Sequence, residues 1–141
     1  WCPKNKNGIN EFIILKIPYK SKGIKIINGL AINEKLFKFN NRVKMIYIGF
    51  ITEIPKNFSQ LYECDYKPKY AFAYFTPPEQ YINLEDTITP QKILFSNLKY
   101  FSWHSEEFEL AKSVYLVVAI IDIYKGTKYN DTCISEIEII K

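Results

Sequence analysis

Asp131-Thr132-Cys133-Ile134-Ser135-Glu136 is the segment that fixes how the chain closes. It runs on as an alternation of Cys133, Ser135, Ile137 and Ile139 against Ile134, Glu136, Glu138 and Ile140, and that period of two makes it a final strand rather than a tail. Cys133 also has a potential partner in Cys2, at the other end of the chain. A chain whose ends can be tied together is usually an extracytoplasmic module.

Upstream of that segment, residues 114–124 form the longest apolar run, unbroken until Asp122. A buried helix has the same look, but the density of Val and Ile and the Lys125-Gly126 turn favour a central strand covered on both faces. Residues 12–17 are a second β-rich run, stopped by Pro18, and residues 23–27 a third, ending at the turn signal Asn28-Gly29. Further strands are expected at 43–51 and at 70–75, the latter ended by Pro77-Pro78, with shorter ones at 80–84, 91–95 and 98–103. Residues 55–70, with two prolines, Cys64 and four aromatics, read as a loop, and the best helix candidate, 106–112, is too short to affect the class. About eight strands, short connections and scarcely any helix predict an antiparallel sandwich or jelly roll.

The chain's 141 residues fit one domain spanning 1–141, with no internal repeat or linker. A domain of that size buries roughly 70% of its unfolded surface and folds unaided. A composition 48% apolar and 24% charged is too apolar for disorder, and no run approaches the ~18 residues of a spanning helix. The chain begins at Trp1 with no leader pattern, so we expect a mature form or an excised domain. The net charge of +4 is spread over scattered lysines interleaved with carboxylates, which disfavours nucleic acid. Only residues 4–6 and 20–25 are locally basic, and a solvated face explains each. Among eighteen lysines the sole arginine, Arg42, stands out. Its planar five-donor fork suggests a buried, multiply bonded structural contact first and a ligand contact second.

Catalytic patterns are missing from the sequence. His104 is the only histidine, there is no Gly-x-Ser-x-Gly elbow or phosphate-cradling glycine loop, and the carboxylates are dispersed. No enzyme activity is expected.

Four phrases occur in a fixed order: Gly8-Ile9-Asn10-Glu11, Ile26-Ile27-Asn28-Gly29, Asn40-Asn41-Arg42-Val43-Lys44, and Asp131 to Glu136. In order and spacing they resemble the discoidin-like NADase-type glycan-binding domain, described as the translocation domain of a streptococcal NAD glycohydrolase, over nearly the whole chain. Asn10 stands where that family more often has Gly, and Leu30 where an aromatic is common. The resemblance implies an all-β, galactose-binding-like (discoidin-type) jelly-roll sandwich of about eight antiparallel strands, whose first and last strands bring the termini together. It thereby favours a Cys2–Cys133 disulfide, worth up to ~4–5 kcal/mol if unstrained, and leaves Cys64 alone, as a small buried hydrophobe first and otherwise an exposed reactive thiol or an intermolecular bridge.

Functionally the resemblance implies a non-catalytic carbohydrate-binding module, for adhesion or targeting, on a secreted, periplasmic or cell-surface bacterial protein. The alternative is a protein-binding or translocation module that docks an attached or partner enzyme and has no sugar site. Asn40, Asn41 and Arg42 carry the planar donors and acceptors that sugar hydroxyls need, or else anchor a loop with Asp131 or Glu136 as partners of Arg42. Tyr62, Tyr66, Trp103 and Tyr124 are candidates to stack on sugar faces. Gly8, Glu11, Asn28 and Gly29 are expected in structural roles, with Asn28 taking a left-handed turn conformation. No cofactor is expected. A structural calcium at Asp131, Thr132 and Glu136 is the one metal to consider, although the sequence offers no dense oxygen-rich loop for it.

Overall fold

The computed structural model describes residues 1–3, 7–54, 71–75, 80–99, 101–104, 106–109 and 111–141. Among these, eight strands form two antiparallel sheets. The five-stranded sheet runs β1 (Phe12–Ile17), β7 (Ser113–Tyr124), β3 (Arg42–Ile54), β4 (Ala71–Phe75), with β5 (Tyr81–Asn83) also on β3. The three-stranded sheet is β6 (Gln91–Leu94), β2 (Gly23–Asn28) and β8 (Ile134–Ile140). All these strand ladders are antiparallel, with isolated parallel bridges at Gly29–Ile134 and Asn41–Thr132, and the architecture is the β-sandwich that the alternation predicts.

The core lies between the sheets because each strand puts every second side chain inward. On β7 these are Val114, Leu116, Val118 and Ile120; on β3 they are Ile46, Ile48 and Phe50; and Ile24 and Ile26 of β2 meet them from the other sheet, all buried. Phe50 is stacked around by Phe95, Phe101 and Phe108, which close one end of the core.

The two outer faces differ in kind. On the three-stranded sheet the outward residues are Lys25, with Lys92 and Glu138 beside it in register, the exposed Glu136 beside Ile27, and Leu94 and Ile140 on either side of Gly23. Lys25 and Glu138 form an ion pair there, and the Lys25 ammonium is held above its ordinary value by that hydrogen bond. The outward residues of the five-stranded sheet include an apolar set, Phe12 beside Ala119 beside Tyr47 beside Tyr81, then Ile14 beside Val117, then Tyr115 beside Ile51, together with Lys16 beside Tyr115 and the Lys44–Asp122 pair. Phe12 is 57%, Ile14 47% and Tyr81 57% exposed. β7 is central within its sheet as expected, but it is not covered on both faces, since outward Tyr115 and Ala119 stay half-buried.

The chain closes through residues 1–2 rather than through its first strand. β1 and β8 lie in different sheets; the Trp1 segment meets the head of β8 instead, with Trp1 N to Ile134 O at 2.7 Å and Ile134 N to Trp1 O at 2.8 Å. Beside this pairing Cys2 and Cys133 are joined in a disulfide. β8 then runs to the other end of the sandwich, where Ile140 O accepts from Lys22 N. Gly8, at φ 69°, turns the chain toward β1 so close to Pro3 and Thr132 that an added Cβ would lie 3.1 Å from each.

Several local expectations change. Asn28 is not left-handed: it is the fully buried last residue of β2, which pairs with β6 and β8, and the left-handed residue is Gly29, at φ 65°. Residues 98–99 and 101–103, the described part of the expected strand, are not a strand. A 3-10 turn at Phe95–Asn97 precedes them, and Phe101 and Trp103 turn toward the aromatic end of the core, so packing there wins over β-propensity. The helix at 106–112 shortens to α2 (Glu106–Glu109). A helix absent from the sequence expectations, α1 (Glu34–Phe39), starts at Asn33, whose side chain accepts from Leu36 N, and buries only Phe37. β3 begins at Arg42 and ends at Ile54, longer at both ends than expected. The expected loop at 55–70, Cys64, the prolines at 77–78 and the basic residues at 4–6 lie outside the described residues.

Candidate functional site

Asn40, Asn41 and Arg42 lie at the head of β3, next to the disulfide end, and all three are buried. Asn40 is the C-cap of α1 and its amide donates to Leu36 O. The Asn41 side chain donates to Asn130 O and accepts from Gly126 N. Arg42 spreads its fork over two sides: Nε and Nη2 reach Asp86 at 2.9 and 2.7 Å, while Nη1 donates to Asn40 O and Lys125 O. Its guanidinium also sits over the Phe37 ring. The trio is brought together as expected, but each polar group is spent on the protein itself.

The partner of Arg42 is Asp86, not Asp131 or Glu136. Asp131 is exposed and supplies its backbone oxygen to Asn41 N, and Glu136 is exposed on β8. Thr132, buried, donates its hydroxyl to Asn7 O. Among the described residues no three His, Cys, Asp or Glu side chains converge as a metal site. Nothing in the sequence distinguished Asp86 from the other carboxylates, because its contact with Arg42 is 44 residues away and set only by the fold.

Asn28 does more than a turn residue would. Its side-chain nitrogen donates to Val43 O at 2.7 Å, and its oxygen accepts from Val43 N at 2.9 Å and from Gly29 N. The amide thus replaces a missing strand partner and joins the end of the three-stranded sheet to the start of β3. Glu11 closes the turn from Gly8 with its backbone, its N donating to Gly8 O and its O accepting from Ile120 N.

The aromatic candidates separate. Tyr62 and Tyr66 lie outside the described residues. Tyr124, half-buried at the end of β7, donates its hydroxyl to Leu84 O. Trp103 is at the opposite end of the sandwich, where its Nε1 donates to Ser21 O and its ring meets Tyr19, Phe101 and Phe108 edge-on. These contacts fasten the connection from β1 to β2 onto the aromatic end of the core.

Beside Trp103 lies an open groove of about 390 Å³. Its floor is Leu94, Phe95, Phe101 and Trp103, and its rim carries Lys20, Lys22 and His104 with Ser96 and Ser102. Lys20 holds a left-handed backbone, at φ 63°, and its ammonium rests over the Tyr19 ring. None of the residues lining the groove is a carboxylate. The nearest defined one is Glu109, 3.7 Å from His104 Nδ1. Of the groove residues the sequence singled out Trp103 and treated the lysines as a solvated face. Spacing alone does not show that residues 20–22 and 94–104 meet.

On the outer face of the five-stranded sheet, Lys44 of β3 pairs with Asp122 of β7 at 2.7 Å. That hydrogen bond, with a second from Ile123 N, holds the Asp122 carboxyl below its ordinary value, and Lys44 is raised in turn.

Residues 1–140 match the family model described as the NAD glycohydrolase translocation F5/8 type C domain. No curated protein and no solved structure matches the chain. The jelly-roll sandwich, its terminal tie and this match over essentially the full length agree, and the chain belongs to the NAD glycohydrolase translocation F5/8 type C domain family.

Proposed function

We propose that the chain is a non-catalytic docking module of an extracytoplasmic protein, which holds an attached or partner protein against the outer face of its five-stranded sheet. The observation that carries this reading is the contrast between the two outer faces: the Lys25–Glu138 ion pair beside Lys92 and Glu136 on one, and the exposed Phe12, Ile14 and Tyr81 on the other. Contiguous exposed apolar surface on one face of a soluble domain is the usual mark of a contact. The family's description as a translocation domain and the disulfide, which suits an oxidising compartment, support the same reading.

Lysines on the two faces provide the test. Cross-linking of the protein as its cells release it should join Lys16, on the apolar face, to a residue outside this module, and a Phe12→Ser/Ile14→Ser variant should lose that link while staying folded. Links confined to Lys25 and Lys92, or none beyond the module, would contradict the reading.

Glycan recognition is a second reading, favoured by the groove at Trp103 rather than by Asn40 to Arg42. The groove combines an aromatic floor with polar groups on its rim.

A further inference from the structure

We infer that the groove beside Trp103 takes an acidic sugar, one whose ring lies on the apolar floor and whose carboxylate meets the lysine rim; this rests on the glycan reading. Sugar rings have an apolar face of C–H groups that stacks on aromatic side chains, and the floor offers Trp103 and Phe101 with the exposed Leu94 beside them. The volume of about 390 Å³ falls within the usual range of small-molecule sites.

The rim decides the charge of the ligand. Lys20 and Lys22 are exposed and make no salt bridge among the described residues, while His104 lies 3.7 Å from Glu109. Among the described residues that line the groove none is a carboxylate. A neutral sugar would leave this concentration of positive charge unused, whereas a carboxylate would gain charge-assisted hydrogen bonds from it. The geometry of the Lys20 end is also held in place: the left-handed turn at Lys20 is braced by Ser21 Oγ on Pro18 O, by Trp103 Nε1 on Ser21 O and by Tyr19 hydroxyl on Trp103 O. A left-handed non-glycine residue costs free energy to hold, and such positions gather at binding sites.

The test is a binding screen of the 141-residue chain against three matched sets of oligosaccharides: uronate- or sialate-bearing, the same sugars with carboxyls reduced to alcohols, and sulfated sugars without carboxylates. Binding should be confined to the carboxylated set and weaken as salt rises from about 50 to 300 mM. A Lys20→Gly/Lys22→Gln variant, which keeps the left-handed turn available to Gly, should lose at least tenfold in affinity with an unchanged near-ultraviolet spectrum. Equal binding of the carboxyl-reduced sugars, or binding of the sulfated set alone, would overturn the acidic-sugar assignment while leaving glycan recognition standing. A blank across all three sets would overturn both.

Discussion

Arg42 shows why one arginine persists among eighteen lysines. Four hydrogen bonds leave one guanidinium in two directions, a forked pair to Asp86 and a pair to the carbonyls of Asn40 and Lys125, so the side chain links the head of β3 to two loops at once. An ammonium on the same stem has a single point of attachment and cannot serve both sides. Arg42→Lys should therefore destabilise the fold by about 2–3 kcal/mol, the range for lost hydrogen bonds to charged groups. Urea unfolding would measure it, and a variant within about 0.5 kcal/mol of the parent would show the fork to be dispensable. The need for an arginine here was legible from composition. Its partner was not, because no local pattern connects positions 42 and 86.

Strand order is set at the ends of elements as much as along them. Asn28 ends β2 and supplies both a donor and an acceptor to Val43, the second residue of β3, so one buried amide ties the two sheets where no ladder runs between them. Asn28→Ala would strand both Val43 backbone groups in a dry interior. The expected loss is about 2–4 kcal/mol, summing the usual penalty for unpaired buried groups. A loss below about 1 kcal/mol by denaturant titration would mean that water replaces the amide. The same Asn-Gly pair reads in sequence as a turn with a left-handed Asn28, but the left-handed conformation falls on Gly29, where an added Cβ would lie 2.7 Å from Arg42 Cγ. The pattern locates the end of the strand and assigns the left-handed conformation to the wrong member of the pair. Helix α1 escapes notice for a different reason: six residues burying only Phe37 are too few to display a 3.6-residue stripe.

At the level of the whole molecule, most of the strands were readable because alternation carries that information directly, whereas the closing disulfide followed from the family resemblance, since three cysteines alone leave the pairing open. The Cys2–Cys133 bridge spans 131 residues, and removing it should cost up to ~5 kcal/mol on the loop-entropy model. A Cys2→Ser/Cys133→Ser variant whose midpoint of unfolding stays unchanged would assign the closure to the Trp1 and Ile134 backbone pairing alone. The apolar outer face was also present in the sequence. Phe12–Ile17 is apolar at both parities, as is the run along β7, and such a strand asks for burial on two sides. The sandwich buries one of them. The other is where the proposed contact lies, and a strand pattern cannot say whether a second layer comes from the same chain or from another molecule.

Amide exchange tests that contact most directly, measured on the protein as its cells release it and on the 141-residue chain alone. The docking account predicts that amides of β1 and β5, the two strands carrying the exposed Phe12, Ile14 and Tyr81, exchange more slowly in the released protein, with β2, β6 and β8 unchanged. Identical exchange at β1 and β5 in the two samples, or protection that appears on the charged face instead, would contradict it.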